Sequence, residues 1–191
     1  MGRIVVTEFV SLDGVIEDPG GAEGYKHGGW SFKFNRGPEG DKFKVDELEE
    51  AEVQLLGRVT YQGFAAAWPN MNEDSFGQKM NSMPKYVFSN TLEEADWTNS
   101  TILRGDFAEQ MAKLKQDVDG VILVAGSAQL AQGLIEQDLI DELRLMVFPV
   151  LLGSGKRLFP ESSDMKTLKL TRSDTTGDGV VIQVYERDAS V

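Results

Sequence analysis

Short apolar runs bounded by glycine or polar residues alternate along the chain with segments whose apolar residues recur at helical spacing. The runs are rich in β-branched residues, which favours strands, and the run GVILVA at 120–125 is apolar throughout, as in a strand covered on both faces. Strands are predicted at residues 3–11, 53–56, 85–89, 101–103, 120–125, 142–152, 169–173 and 180–187. Helices are predicted at 41–51, at 60–68, from the capping box Asp106-x-x-Glu109, and through Ala131, Leu134 and Ile135.

The order of these elements, in which strands and helices alternate until a final hairpin, indicates a three-layer α/β fold. Its central sheet is predicted to be mixed and mostly parallel, with an antiparallel C-terminal hairpin. Because neither a repeat nor a Pro/Ser-rich linker divides the sequence, residues 1–191 are interpreted as a single domain. Sheets of this kind bind ligands beyond the carboxyl ends of their strands, here at 11–14, 57–60, 89–90 and 126–127.

A glycine-dense segment from residue 12 to residue 37 is longer than most loops in compact domains, which favours a functional loop. Trp30, Phe32 and Phe34 within it allow two interpretations. Either the loop folds back over an apolar surface, or these residues form an edge strand with alternating hydrophobic positions.

Composition excludes several classes of chemistry. The chain has no cysteine and a single histidine, His27, which excludes disulfides, thiolate nucleophiles, iron–sulfur clusters and any metal site built on cysteines or several histidines. With 19 Lys and Arg against 31 Asp and Glu, the net charge of −12 argues against nucleic acid and anionic membranes as partners. The N-terminus lacks the apolar run of a signal peptide, and the longest apolar stretch, 145–152, is too short to cross a bilayer. A cytoplasmic location is therefore predicted.

Two strand-to-helix junctions have the features of anion-binding sites. At the first, Gly57-Arg58-Val59-Thr60, free backbone N–H groups at a helix start attract phosphate, while Arg58 adds a guanidinium and Thr60 a hydroxyl. The alternative makes Thr60 an ordinary N-cap and Arg58 a surface charge.

The second junction, Gly126-Ser127, directly follows the most apolar strand. Glycine permits close approach to a ligand, and Ser127 either touches phosphate or simply caps the helix. The chain contains neither a Walker A loop nor a G-x-G-x-x-G fingerprint. Two anion-binding helix starts on neighbouring strands nevertheless suit a ligand with two phosphate regions, which indicates a dinucleotide.

Five short motifs occur in an order that resembles the dihydrofolate reductase superfamily. They are SLDG at 11–14, LGRVTY at 56–61, VFSN at 87–90, VAGS at 124–127 and PVLLGSG at 149–155. Within the superfamily the chain is most similar to the stand-alone branch related to the reductase domain of bacterial riboflavin biosynthesis. The resemblance extends from about residue 3 to residue 186 and implies a dihydrofolate-reductase-like fold.

The resemblance also implies an NADPH site. Arg58 corresponds to a contact with the adenosine 2′-phosphate, and Thr60 with nearby amides to a contact with the pyrophosphate. Ser127 departs from the family, which has a second glycine at that position. The implied cofactor-binding residues are Gly57, Arg58, Val59, Thr60, Ser89, Asn90, Gly126, Ser127, Gln129 and Leu130.

Two acids are candidates for the catalytic proton donor. The family has a buried acid on the helix before the Gly-Arg strand, and Asp41 matches it by position, although a solvated acid at a helix start is the alternative. Asp13 is the second candidate, and next to Gly14 it alternatively holds a turn. A group of basic residues is interpreted either as a site for a phosphorylated substrate or as a solvated strand face. It comprises Lys156, Arg157, Lys166, Lys169 and Arg172.

These observations predict an NADPH-dependent reductase that transfers hydride to a small heterocyclic substrate of the pteridine or ribosylaminopyrimidine type. The resemblance further implies a homodimer paired through the C-terminal sheet. Two other interpretations remain open, a non-catalytic nucleotide-binding or scaffold dimer on the same fold and a flavin-using protein. The zinc deaminase that accompanies the riboflavin reductase domain is excluded, because a chain without cysteine and with one histidine cannot form its metal site.

Overall fold

Eight strands and five helices form the fold in the computed structural model, which describes residues 1–159, 161 and 164–188. The strands are β1 (Arg3–Ser11), β2 (Ala51–Gly57), β3 (Lys85–Phe88), β4 (Ser100–Leu103), β5 (Val121–Ala125), β6 (Glu142–Phe148), β7 (Leu168–Thr176) and β8 (Val180–Arg187). The helices are α1 (Gly37–Glu50), α2 (Arg58–Ala67), α3 (Ser75–Ser82), α4 (Phe107–Asp117) and α5 (Ala128–Glu136).

The strands form one sheet in the order β4-β3-β2-β5-β1-β6-β8-β7. The first six are parallel, and β8 and β7 continue the sheet antiparallel from β6. This arrangement confirms the predicted three-layer α/β fold with its C-terminal hairpin. No helix in the described ranges has both the length and the apolar character needed to cross a membrane.

Helices cover both faces of the parallel part of the sheet. On one face α1, α2 and α3 contribute Leu48, Tyr61 and Met80 to an apolar cluster. On the other face α4 and α5 pack apolar side chains, among them Met111 and Leu134, against β1, β2, β5 and β6. Because β1 and β5 lie in the middle, their side chains are buried on both faces.

Several element boundaries differ from those predicted. Helix α1 begins at Gly37 rather than at residue 41, since Pro38 occupies its first turn, where the missing N–H costs nothing. Strand β6 ends at Phe148 rather than at 152, because the chain after Pro149 turns to pair with the start of the long loop, with Leu12 N–H donating to Val150 O at 2.9 Å. The short helix α3, capped by the Asp74 carboxylate, was not predicted.

The long loop after β1 folds back over an apolar surface, and the edge-strand alternative is wrong. Residues Trp30–Lys33 form a 3₁₀ turn instead. The Trp30 indole is completely buried, donates its N–H to Glu17 O at 2.8 Å and meets the Phe148 ring edge-on at 5.3 Å. Phe32, two residues on, is 79% exposed, because the 3₁₀ turn places the two side chains on opposite sides.

Replacing the buried indole is expected to cost far more than replacing the exposed ring. Trp30→Ala should lower the free energy of unfolding by about 3–5 kcal/mol through lost burial and the cavity left behind. Phe32→Ala, the matched control, should change it by less than about 0.5 kcal/mol. Urea denaturation measures both, and equal losses in the two variants would contradict the anchoring role of Trp30.

Candidate functional site

The sheet topology predicts a ligand-binding crevice at the carboxyl ends of the two central strands. From β1 the chain crosses one face of the sheet through α1, whereas from β5 it crosses the opposite face through α5. Adjacent parallel strands whose connections leave in opposite directions open a crevice at their carboxyl ends, where α/β proteins bind ligands. The segments predicted to hold a dinucleotide, 57–60 and 126–127, border this crevice.

The two predicted anion-binding junctions contact each other. The backbone N–H of Gly57 donates to the Ser127 hydroxyl at 2.9 Å. Gly126 has a left-handed backbone (φ +72°), and a Cβ there would lie 3.3 Å from the Thr60 methyl carbon. Only glycine combines this conformation with so close an approach. The starts of α2 and α5 therefore form one continuous surface beside the crevice.

The junctions differ in detail from the prediction. Helix α2 begins at Arg58, so Thr60 lies within its first turn and the alternative that made it the N-cap is wrong. Ser127 is the N-cap of α5, but its hydroxyl makes no capping bond to that helix and instead accepts the Gly57 N–H. The serine in place of the family's second glycine thus ties the two junctions together. Gly126 remains exposed above them.

Arg58 and Val59 lie on the exposed side of the first turn of α2. The Arg58 guanidinium donates to Gln62 Oε1 at 3.1 Å, one helical turn away, and forms no ion pair with an acid among the described residues. A neutral amide holds a guanidinium weakly, so Arg58 can reach an incoming anion without breaking an ion pair.

The remaining predicted cofactor residues divide between loop-forming and packing positions. Ser89 is buried, and its hydroxyl accepts the N–H of Leu92 at 3.0 Å, which shapes the turn after β3. Asn90 Oδ1 accepts the N–H of Gly105 at 2.8 Å and so joins the ends of β3 and β4. In α5, Gln129 is exposed, whereas Leu130 is buried in the core behind the junction.

Asp13 holds a turn, the alternative considered for it. Its carboxylate accepts the Ser11 hydroxyl at 2.6 Å and the backbone N–H groups of Leu152 and Gly153 at 3.1 and 2.8 Å. These hydrogen bonds, the one from Ser11 foremost, lower the pKa of Asp13 to about 2. A carboxyl ionised this completely at neutral pH cannot serve as a general acid, so its environment argues against the catalytic role.

Asp41 is an exposed acid on α1 rather than the buried one expected. Its carboxylate pairs with Arg36 Nε at 2.5 Å, on the outer side of the helix. The buried acid of α1 is Glu47, whose carboxylate accepts the Thr7 hydroxyl at 2.9 Å and Lys44 Nζ at 2.5 Å. The exposure of Asp41 favours the alternative considered for it, a solvated acid near the start of the helix.

Sequence reasoning missed Glu8, a buried carboxyl on β1. Thr7 pairs with Ala125 of β5, which puts Glu8 level with Gly126 at the edge of the crevice. Glu8 is only 4% exposed, and its Oε1 has no hydrogen-bond partner among the described residues. Burial raises the pKa of Glu8 to about 8, although the charge of Lys44 and the backbone N–H of Gly126 oppose the increase.

The sequence did contain an indication of this residue. Glu8 is the only acid in the predicted buried strand RIVVTEFVS, where a carboxyl must be paired or neutral. At neutral pH it is mainly protonated, which makes it the carboxyl near the crevice that holds a proton under physiological conditions.

Among His27 and the basic residues, Arg157 contacts the segment at 11–14, where its guanidinium donates to the backbone oxygen of Asp13. His27 is exposed and contacts the Tyr25 ring edge-on at 5.4 Å. The basic residues do not form one patch, since most pair locally: Lys156 with Glu17 and Glu23, Lys166 with Asp138, and Arg172 with Asp174. Their local pairing favours the solvated-surface interpretation.

Comparison with known proteins gives matches along almost the whole chain. A family model described as the RibD C-terminal domain matches residues 3–182. The uncharacterized protein YyaP of Bacillus subtilis (strain 168) is 32% identical over 188 residues, covering 96% of this chain and 94% of that protein. The uncharacterized protein YwjB of the same organism is 29% identical over 178 residues, covering 93% and 94%.

Solved structures share the fold. A Shewanella sp. PV-4 protein provisionally described as a riboflavin biosynthesis protein has a TM-score of 0.78 and 24% identity, covering 97% of this chain and 99% of that one. A pyrimidine reductase-like protein from Corynebacterium diphtheriae has a TM-score of 0.63 and 11% identity, covering 98% and 92%. RibD from Acinetobacter baumannii has a TM-score of 0.64 and 15% identity, covering 98% of this chain and 58% of that one.

Removing the Glu8 charge is expected to stabilise the protein increasingly as pH rises. Between pH 4.5 and 8 the unfolded chain releases the Glu8 proton while the folded chain retains it, so stability of the wild type falls with pH. Glu8→Gln cannot ionise at this position. Its free energy of unfolding should therefore rise relative to that of the wild type by up to about 1.4 kcal/mol per pH unit over this range. Thermal unfolding at several pH values measures the difference, and a difference that is constant with pH would contradict the raised pKa.

Deleting the Asp13 carboxylate is expected to loosen the start of the long loop. Asp13→Ala removes three hydrogen bonds to an ionised group and should lower the free energy of unfolding by about 2 kcal/mol. The wild type should lose the same contribution only as pH falls from about 4 towards 2. Urea denaturation at neutral pH tests the substitution, and an unchanged midpoint would argue against this role.

Proposed function

Because this chain belongs to the RibD C-terminal domain family, as its motifs predicted, we propose that it is an NADPH-dependent reductase of a small heterocyclic substrate. The substrate is of the pteridine or ribosylaminopyrimidine type. The observation that carries the proposal is the contact between the starts of α2 and α5, which joins two anion-binding junctions beside the crevice between β1 and β5.

The residues present fit a phosphorylated dinucleotide. The first turn of α2 offers backbone N–H groups without helical partners, and Gly126 is exposed with no side chain to obstruct a ligand. The Arg58 guanidinium on the same turn suits the 2′-phosphate that distinguishes NADPH from NADH. Meeting these few phosphates requires one guanidinium and two helix starts, which the overall charge of −12 does not prevent.

NADPH, when bound, supplies a hydride from its nicotinamide ring. The chain's own residues orient and enclose the reactants. The loop after β1, anchored by Trp30 and by the Asp13 turn, borders the crevice and excludes water from it. On the α1 side of the sheet the half-buried Phe9 ring lies 5.2 Å from Lys44 Nζ and 5.5 Å from the Arg36 guanidinium carbon. A half-buried aromatic ring suits stacking against a planar heterocycle, whereas both cations already pair with acids, Arg36 with Asp41 and Lys44 with Glu47.

The proposed assembly is a homodimer in the cytoplasm that binds neither nucleic acid nor membranes. Strand β7 is exposed along nearly its whole length, and Leu168 and Leu170 present apolar side chains there. An exposed edge strand with apolar side chains is stabilised by pairing with a second copy.

Cofactor preference tests the proposal. The wild type should bind NADPH more tightly than NADH, and Arg58→Ala should weaken NADPH binding about 10- to 100-fold through loss of a charge-assisted contact. NADH affinity should change little in that variant. Arg187→Ala is the matched control, because this exposed arginine lies on β8, several strands away from β2 and β5. Equal wild-type affinities for the two cofactors, measured by calorimetric titration, would contradict the NADPH assignment.

Oxidation of NADPH in the presence of pteridines, pyrimidines, flavins and quinones tests turnover. Activity with a heterocycle of the first two classes supports the reductase. Tight NADPH binding without oxidation by any member of the panel would favour the non-catalytic alternative.

A further inference from the structure

The buried carboxyl of Glu8 lies directly beneath the surface at which the proposed cofactor would bind. Its strand position is level with Gly126, and Gly126 is part of the junction formed with Thr60 and Ser127. One carboxyl oxygen, Oε1, is buried without a hydrogen-bond partner in the described part of the chain. The carboxyl accepts a hydrogen bond from the backbone N–H of Gly126, so its polar contact lies at the junction itself.

The groups around Glu8 supply little compensation for a negative charge. Its neighbour on β6 is Leu145, and α4 and α5 present apolar side chains to that face of the sheet. The backbone N–H of Gly126 faces the carboxyl from the β5–α5 junction. Lys44 acts from α1, but its ammonium group is already bound to Glu47 and Thr7 on the opposite face.

The other charged groups near β1 are also committed to partners. Arg144 of β6, which pairs in register with Thr7, binds Glu142 and Glu50 on the α1 side. No cation on the described elements around Glu8 is therefore free to neutralise its carboxylate. An anionic ligand at Gly126 would add a second negative charge to the same poorly screened region.

On the basis of the proposed function, we propose that Glu8 is a positioning residue of the dinucleotide site. Its carboxyl must carry a proton for the cofactor to bind. The neutral carboxyl leaves the junction free of negative charge when the pyrophosphate arrives. The ionised carboxylate repels the pyrophosphate, so binding above the pKa of Glu8 is accompanied by uptake of one proton from solvent.

The direction of the pH effect follows from this linkage. Below pH 7 Glu8 is already protonated in the free protein, so affinity should be independent of its titration. Above about pH 8 the free protein loses the proton and the complex retains it, so affinity falls as pH rises. The phosphate monoester of NADPH has its second pKa at about 6, so its ionisation is nearly complete above pH 7 and contributes little to the fall in affinity above pH 8.

The decisive experiment is calorimetric titration of the full chain with NADPH between pH 6.5 and 9.5. The dissociation constant of the wild type should be about 30-fold larger at pH 9.5 than at pH 7, because only the protonated protein binds. Glu8→Gln, which reproduces the shape of the protonated acid, should bind with nearly the same affinity at both pH values. Two buffers of different ionisation enthalpy at pH 8.5 should report proton uptake by the wild type and none by the variant.

Glu142→Gln is the matched control, because Glu142 is another buried acid but lies at the amino end of β6, paired with Arg144. It should keep the pH dependence of the wild type. Lys85, whose pKa burial lowers to about 8, titrates in the same range at the amino end of β3. All three proteins retain Lys85, so its effect cancels in the comparison.

Each result decides a different point. NADPH affinity that is constant with pH in the wild type, or that falls equally in Glu8→Gln, overturns the role of Glu8 and leaves the reductase proposal standing. The absence of NADPH binding at every pH overturns the proposed function and this inference with it. The two-buffer measurement on the wild type needs no variant, so it tests proton uptake even where Glu8→Gln fails to fold.

Discussion

Burial of the central strands on both faces is the constraint on which the rest of this structure depends. Helices on either side leave β1 and β5 in contact with apolar side chains alone over most of their length, as at Ile4, Val6 and Ile122. A polar group in this region must be paired or neutral, because nothing there replaces water. Polar chemistry is therefore displaced to the carboxyl ends of the strands. Thr7 and Glu8 are adjacent polar residues in the second half of β1. Their side chains point to opposite faces of the sheet and meet different environments.

The same crowding explains how the crevice is built. The starts of α2 and α5 approach so closely that Gly126 leaves no room for a side chain, and the Ser127 hydroxyl binds the backbone of Gly57 rather than its own helix. A contact of this kind links two strand ends that are far apart in sequence. The proposed anion-binding surface is consequently a product of packing, since neither junction alone brings two sets of N–H groups together.

Environment separates the acids of this protein into different roles. Asp13 accepts three hydrogen bonds that favour its charge and lower its pKa to about 2, which makes it a structural anion. Asp41 faces solvent in an ion pair with Arg36. Glu8 has neither arrangement, so burial leaves it mainly protonated at neutral pH. All three side chains are carboxylic acids with similar ordinary pKa values, so burial and partners decide which of them holds a proton.

The sequence by itself determined the fold class, the order of the strands and of every helix except α3, and the location of Gly57–Thr60 and Gly126–Ser127 at strand ends, because periodicity and glycine placement act locally. It did not determine that α2 starts at Arg58, that Ser127 binds Gly57, or that the acid at the crevice is Glu8 rather than Asp41. Those outcomes depend on contacts between segments 40 to 120 residues apart, and on burial, which one-dimensional spacing does not encode. Only the tertiary structure places a carboxyl in an apolar environment, and that placement decides whether it carries a charge.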